Sequence, residues 1–374
     1  MRIGFDAKRA LNNGSGLGNY SRNLLNALMR DYTGNDYLLF ASKTKEEFLN
    51  SLDGNFKLIF PETKLQRSAH PIWRTFSIKK QLLKNRISVY HGLSNELPYG
   101  ISYTGIPTVV TIHDLIFLKD KEQYPYLDRM MYKAKTQYAA KVADKIIAVS
   151  SETKKDIVEL YGVDEKKVFV IPPPIAGEFQ TTINQEERAS TIKKYNLPGK
   201  YLLHVGSFFP RKNQKAVVEA FDLVKNKLEE DLILVGGAGN MLDEINALIS
   251  SRGLQGRVKI LTGVSNEDMP AIYQSASLLV FPALYEGFGM PVAEALFSRL
   301  PVITTGGGSM EEAGGKSAIY VDPLSPDEIA RAILKILSDF QLRESMIETG
   351  WAHAQTMTDK TVAGKTMQVY QSIR

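Results

Sequence analysis

The 374-residue chain has no cysteine and only five histidines, and none of its apolar runs approaches the roughly 20 residues that a membrane-spanning helix needs. Without cysteine, disulfides and thiolate-bound metal are excluded. The histidines stand apart at 70, 91, 113, 204 and 353, so their spacing offers no zinc-type cluster, and chemistry without a metal or other cofactor is expected. Met1 runs straight into the strand-like Arg2 to Ala7 with no basic, apolar and small-residue leader, which points to a cytoplasmic protein.

What is present has the balance of a globular protein, with 44% hydrophobic and 23% charged residues. The length exceeds what one hydrophobic core usually supports, so two domains are expected. The net charge of +5 is uneven: basic residues outnumber acidic ones up to residue 172, and acidic ones prevail beyond it. Much of the basicity falls between His70 and Arg86, where Ile72, Phe76, Lys79, Lys80 and Leu83 suggest a helix with apolar and basic faces. Such a helix either packs its apolar stripe on the domain or rests on an anionic membrane surface at the inner face. Nucleic-acid binding is not expected, because no recognition motif accompanies the charge.

Short apolar runs bounded by turn residues alternate with helical patterns throughout, which marks parallel α/β units. The expected strands of the first half are Arg2 to Ala7, Tyr37 to Ala41, Phe56 to Phe60, Ser88 to Gly92, Thr108 to His113, Lys145 to Ser150 and Val168 to Ile171. Those of the second are Tyr201 to Gly206, Leu232 to Gly236, Val258 to Thr262, Leu278 to Pro282, Pro301 to Thr305 and Ala318 to Val321. Two Rossmann-like, doubly wound domains follow, residues 1–172 and 173–355, with the break at Pro172-Pro173-Pro174 and a terminal helix within 356–374.

Ligands of doubly wound sheets bind beyond the carboxyl ends of the strands, and four such places carry chemistry. Gly14 to Tyr20 is a glycine-rich turn opening a helix, where Gly16 and Gly18 let backbone N–H groups approach an anion. It follows its strand too late for a dinucleotide fingerprint, and the second strand ends in Ser42-Lys43 without the acid that would read a ribose, so hydride chemistry is not expected. His113-Asp114 closes a well-formed strand, the acid adjacent to the imidazole and able to influence its tautomer. Gly206-Ser207 and then Arg211-Lys212 follow the first strand of the second half, and two cations there suit a diphosphate leaving group. The most specific element is Glu286-Gly287-Phe288-Gly289-Met290-Pro291-Val292-Ala293-Glu294, two carboxylates bracketing a glycine-led helix start. Each of the first three also has a structural reading, as a turn, a core histidine or a solvated surface pair.

Taken together and in this order, these elements resemble family 4 of the retaining GT-B glycosyltransferases, which includes bacterial mannosyltransferases of polysaccharide assembly. The resemblance covers nearly the whole chain. It implies two Rossmann-like domains facing a central cleft, the acceptor held by the first and a nucleotide-diphosphate sugar by the second. It further implies His113, Arg211, Lys212 and Glu286 as the catalytic group, with Gly16, Gly18, Gly206, Ser207, Phe288, Gly289, Met290 and Glu294 around the donor, and the terminal helix crossing back to the first domain. The expected reaction moves a hexose, mannose as the leading choice, to a glycan or lipid-linked oligosaccharide. Front-face transfer with retention and without a metal fits the paired cations and the lack of any Asp-x-Asp triplet. Two features depart from the family: Ser207 stands where many members carry arginine after the glycine, and Arg299-Leu300 replaces a small residue before Pro301. A nucleotide-sugar isomerase or a non-catalytic nucleotide-sugar-binding protein would share the fold.

Overall fold

A computed structural model describes the chain except for residues 64–65, 67–71, 120–123, 238 and 374. It forms two compact units, the first made of Met1–Ala176 with Thr358–Arg374 and the second of Gly177–Met357.

The first unit is built on a seven-stranded parallel sheet in the order β3-β2-β1-β4-β5-β6-β7. Its strands are β1 Arg2–Asp6, β2 Asp36–Phe40, β3 Lys57–Ile59, β4 Val89–Gly92, β5 Thr108–Ile112, β6 Lys145–Ala148 and β7 Val168–Val170. The apolar runs are strands buried on both faces, which is why they read as continuous rather than alternating. Ile3, Phe5, Val89 and Val109 point to one core with Leu24 and Leu28 of the helix Gly16–Asp31. Tyr90, Val110, Ile112 and Ile146 point to the other with Trp73, Ile78 and Leu82.

Thr358, Val362, Met367 and Tyr370 explain why the last helix, Asp359–Gln371, belongs to the first unit. Thr358 caps its first turn, and Val362, Met367 and Tyr370 lie in the first core. Arg30 holds its start through a 2.8 Å ion pair with Asp359. The three prolines lie inside the first unit rather than at its edge: Asn23 donates to the Pro174 carbonyl at 3.2 Å and Ile175 is fully buried, which carries the boundary on to Ala176.

Of the basic segment His70 to Arg86, His70 and Pro71 lie outside the described residues. The rest opens as a π-type turn, Trp73–Ser77, and continues as the helix Ile78–Lys84. Its buried stripe is Trp73, Ile78 and Leu82, so the apolar face differs from the one expected. Ile72, Phe76 and Leu83 are instead 58%, 53% and 52% exposed.

The second unit repeats the plan with a six-stranded parallel sheet, β10-β9-β8-β11-β12-β13. Its strands are β8 Tyr201–Val205, β9 Asp231–Val235, β10 Val258–Leu261, β11 Leu278–Phe281, β12 Val302–Thr305 and β13 Ile319–Val321. Every expected strand is thus present in both sheets. The strand order reverses between β1 and β4 in one and between β8 and β11 in the other. At such a switch point the loops leaving two neighbouring strands diverge to opposite faces and open a crevice at the carboxyl edge.

Candidate active site

In the second unit the crevice lies between the loops that leave β8 and β11. The β8 loop ends in a short 3-10 turn, Pro210–Lys212, and Asn213, at φ 59°, ties it down. The Asn213 amide donates to the carbonyls of Pro282 at 3.0 Å and Pro323 at 2.7 Å, and the Leu284 N–H donates to the Arg211 carbonyl at 2.8 Å. The two loops therefore act as one rigid piece.

On that piece Arg211 Nη1 and Lys212 Nζ converge on the same oxygen, Oε1 of Glu286. Burial alone would raise the Glu286 pKa, but the two cations outweigh it and hold the carboxyl below its ordinary value. Burial lowers the Lys212 pKa, opposed by Glu286 and reinforced by Arg211. The Lys212 stem lies against Gly206, and its ammonium sits 5.1 Å from the Phe281 ring centroid. The carbonyls of Gly206 and Ser207 both receive the Gln214 amide, at 3.0 and 3.1 Å. Ser309, in the helix Gly308–Gly314 that follows β12, donates to the Glu286 carbonyl at 2.7 Å.

Gly289, at φ 103°, turns the chain into the helix Met290–Phe297, a conformation that side chains resist. No side chain caps that helix, whose second residue, Pro291, has no N–H and whose Val292 N–H donates to the Gly289 carbonyl at 2.9 Å. Phe288 is buried in the core, which leaves only its backbone to a ligand. Glu294, one turn in, accepts a 2.7 Å hydrogen bond from Tyr273. Burial raises the Glu294 pKa, with Tyr273 and Lys212 opposing.

His204, Ser309 and Tyr273 were not legible as site residues. His204 ends in a fully buried ring on β8 whose Nδ1–H donates to the Val280 carbonyl at 2.8 Å. Its Nε2 has no partner among the described residues. Burial pushes the His204 pKa down to about 4, and the field of Lys212 adds to that.

His113 and the glycine turn belong to the first unit. The turn is closed by Arg22, whose Nη1 donates to the carbonyls of Ala10 and Asn13, both at 2.8 Å. A side chain at Gly18 would strike that Asn13 carbonyl, a Cβ standing 1.8 Å from it. Nothing lies within 4 Å of the corresponding position at Gly16, so the turn is open there. His113 donates its backbone N–H to Asn95 at 2.9 Å and its Nε2–H to the Leu93 carbonyl at 2.9 Å. Leu93, rather than Asp114, thereby sets the tautomer and leaves Nδ1 as the acceptor. The Asp114 carboxylate accepts the Ile116 N–H at 3.1 Å. Burial holds the His113 pKa down at about 4, against the Leu93 bond, and Arg9 adds to the effect. The imidazole is therefore neutral near pH 7.

In the second unit the expected residues follow β8 and β11, which flank its switch point, whereas in the first His113 follows β5, one strand beyond the β1–β4 switch point. The second offers two cations, a carboxylate and a helix start, a set able to bind and stabilise a departing diphosphate without losing any group to distant packing. Among the described residues no three His, Asp or Glu side chains stand together as a cation site, and no helix is long and apolar enough to cross a membrane.

Comparison with known proteins gives the same division. Residues 14–178 match the model described as Glycosyltransferase Family 4, and residues 185–352 match Glycosyl transferases group 1. The chain is similar to the O-antigen chain mannosyltransferase B of Escherichia coli, 28% identical over 76% of this chain and 74% of that one. It is also similar to the serotype-specific mannosyltransferase WbdA of Escherichia coli, 30% identical over 68% of this chain, although it spans only 32% of that longer protein. Among solved structures, Anabaena Alr3699/HepE in complex with UDP-glucose superposes with a TM-score of 0.77 at 17% identity, each chain covered completely.

Proposed function

The chain belongs to the family 4 glycosyltransferases of GT-B fold, and from that membership we propose that it transfers mannose, with retention of configuration, from a nucleotide-diphosphate sugar to a glycan or lipid-linked oligosaccharide. The observation that carries this reading is the convergence of Arg211 and Lys212 on Glu286 beside the uncapped helix at Met290. The choice of mannose is supported by the names of the two Escherichia coli relatives.

In this reading the donor diphosphate takes over Arg211 and Lys212, and the helix start with Gly289 and Met290 donates N–H groups to the same phosphates. Gly206 and Ser207 flank the diphosphate, Gly16 presents its backbone N–H to it, Gly18, whose own N–H donates to the Ser15 carbonyl at 2.9 Å, lets the turn close against Asn13, and Glu294 accepts from the ribose hydroxyls. Released from its cations, Glu286 accepts hydrogen bonds from the transferred sugar, and the neutral His113 accepts another through Nδ1. As the bond from the anomeric carbon to the leaving phosphate oxygen breaks, the acceptor oxygen bonds on the same face, and its proton passes to that phosphate oxygen. The two side-chain cations supply the electrostatic stabilisation, so no metal is required.

Exposed Ile72, Phe76 and Leu83 beside Lys79, Lys80 and Lys84 support peripheral contact with an anionic membrane, on the cytoplasmic side. Binding to vesicles containing anionic lipid should weaken when the three lysines are neutralised.

The function is tested by a thermal-shift panel of GDP, UDP and ADP and their sugar conjugates, followed by product analysis with EDTA present. A rise with one nucleotide and a product of retained anomeric configuration support it. Silence with every nucleotide at millimolar concentration, or activity restored only by added divalent metal, would overturn it.

A further inference from the structure

The carboxyl edge of the first sheet holds a second charged cluster, where the strand order reverses between β1 and β4. Asp6 ends β1, Glu96 follows β4, and Arg74 bridges them. Arg74 Nε donates to Asp6 Oδ2 at 2.6 Å and Nη1 to Glu96. Lys135 stands 3.5 Å from the other oxygen of Glu96, so both acids are committed.

Two cations are left over. Lys8 and Arg9 leave β1 directly, and the Lys8 N–H donates to Asp6 Oδ1 at 3.2 Å, which fixes the turn that carries them. Among the described residues neither side chain has a carboxylate partner. Arg9 lies close enough to His113 to act on it electrostatically, and Lys8 lies in the opposed fields of Arg74 and Arg9 on one side and of Glu96 and Asp6 on the other. The hydroxyl of Tyr90, fully buried and without a partner among the described residues, also lies in the field of Asp6, Arg74 and Glu96. Lys8 is exposed and Arg9 half-buried, and Asp6 and Glu96 act on Lys8 only while already bonded to Arg74; at a ligand crevice an incoming anion would pair with both cations directly.

We propose that Lys8 and Arg9, braced by Asp6, Arg74 and Glu96, form a phosphate-binding site on the first unit, and that the phosphoryl group it takes belongs to the acceptor. The guanidinium fork suits two phosphate oxygens and the ammonium a third. A neutral sugar alone would leave both charges unanswered. The assignment to the acceptor rests on the glycosyltransferase reading; the phosphate site itself does not.

The test is calorimetric titration of the full chain with mannose 6-phosphate and with mannose, in the presence and absence of a saturating nucleoside diphosphate. The phosphate ester should bind with the nucleotide present and mannose should bind far more weakly. Arg9→Gln and the exposed Lys8→Gln should each weaken the ester by about tenfold or more, the usual loss for a charged hydrogen bond, while Arg211→Gln should not. The urea midpoint of a first-unit signal should be unchanged by both substitutions, which shows that the first unit of each variant folds, and the nucleotide-induced melting shift should survive as well. Equal binding of ester and mannose, or no effect of either substitution, overturns the site. Competition by the nucleotide overturns the acceptor as the source and gives the phosphoryl group to the donor. Absence of any nucleotide shift refutes the functional reading instead, and the Arg9→Gln comparison still decides the site.

Discussion

Tyr370 and His91, 279 positions apart in the sequence, meet through a 2.6 Å hydrogen bond inside the first unit. The other ring nitrogen of His91 lies 2.9 Å from Thr111 Oγ1, and the hydroxyl of Tyr20 reaches that same oxygen at 3.0 Å. Tyr20 in turn presses its ring edge-on to His113, with centroids 4.5 Å apart. The terminal helix is thereby joined through buried polar groups to the helix behind the glycine turn and to the candidate site. Tyr370→Phe strands a ring nitrogen of His91 and should cost about 1–3 kcal/mol. Urea denaturation followed by a first-unit signal should record the loss, while nucleotide affinity, assigned above mainly to the second unit, should stay unchanged. An unaltered midpoint would mean that the hydrogen bond carries no net stability.

Glu286→Gln keeps the shape of the side chain and removes the charge that Arg211 and Lys212 share. The freed cations should hold a nucleoside diphosphate at least as tightly as before. Turnover should fall by about a hundredfold or more, the scale seen when one preorganised electrostatic contact is removed. Steady-state kinetics and equilibrium binding on the same variant separate the two effects, and a parallel loss of both would contradict the assigned role.

Tyr273→Phe leaves Glu294 without its hydroxyl donor in a buried setting. The carboxyl pKa, already raised by burial, should rise further, because that bond favours the charged form. Affinity for the ribonucleotide should drop several-fold and fall toward that of the deoxyribonucleotide. Equal discrimination between the two in wild type and variant would remove Glu294 from the ribose.

Acid should destabilise the protein early. Burial holds His91 at about 3 and His113 and His204 at about 4, all below the 6.5 of free imidazole. The unfolded chain therefore binds protons that the folded chain refuses. Stability is complete above about pH 6.5 and declines as pH falls towards 4, by up to about 1.4 kcal/mol per pH unit for each histidine. The lowered Glu286 adds to the loss at still lower pH, and the raised Glu294 opposes it. Denaturation midpoints at pH 7.5, 6 and 5 check the slope, and a flat profile would show that these rings are not held neutral.

The strands were legible because a parallel sheet covered on both faces demands continuous apolar runs, and Leu232–Val235 or Val109–Ile112 has no other use. Glu286 and Glu294 stood out as two carboxylates bracketing a glycine-led helix start, whereas Arg211-Lys212 alone also read as a solvated surface pair. The pairing of both cations with one carboxylate was not, since spacing says nothing of which side chains converge across a sheet. Tyr273 and His204 gave no signal, as each sits within an ordinary apolar stretch and gains its place only from packing. The helix after His70 was misread in its facing, because a π-type turn at Trp73–Ser77 rotates the residues that a regular period would bury.

The first unit is assembled from two separated stretches, with the whole of Gly177–Met357 between them in sequence. A ribosome therefore delivers the strands of the first sheet long before the helix that carries Tyr370. Until then the faces of Leu24, Leu28 and Phe5 that this helix covers stay open to water and to the chaperones that attend nascent chains. The second unit is contiguous and can close as soon as it leaves the exit tunnel. Synthesis and folding thus run in different orders: the half begun first is the half finished last.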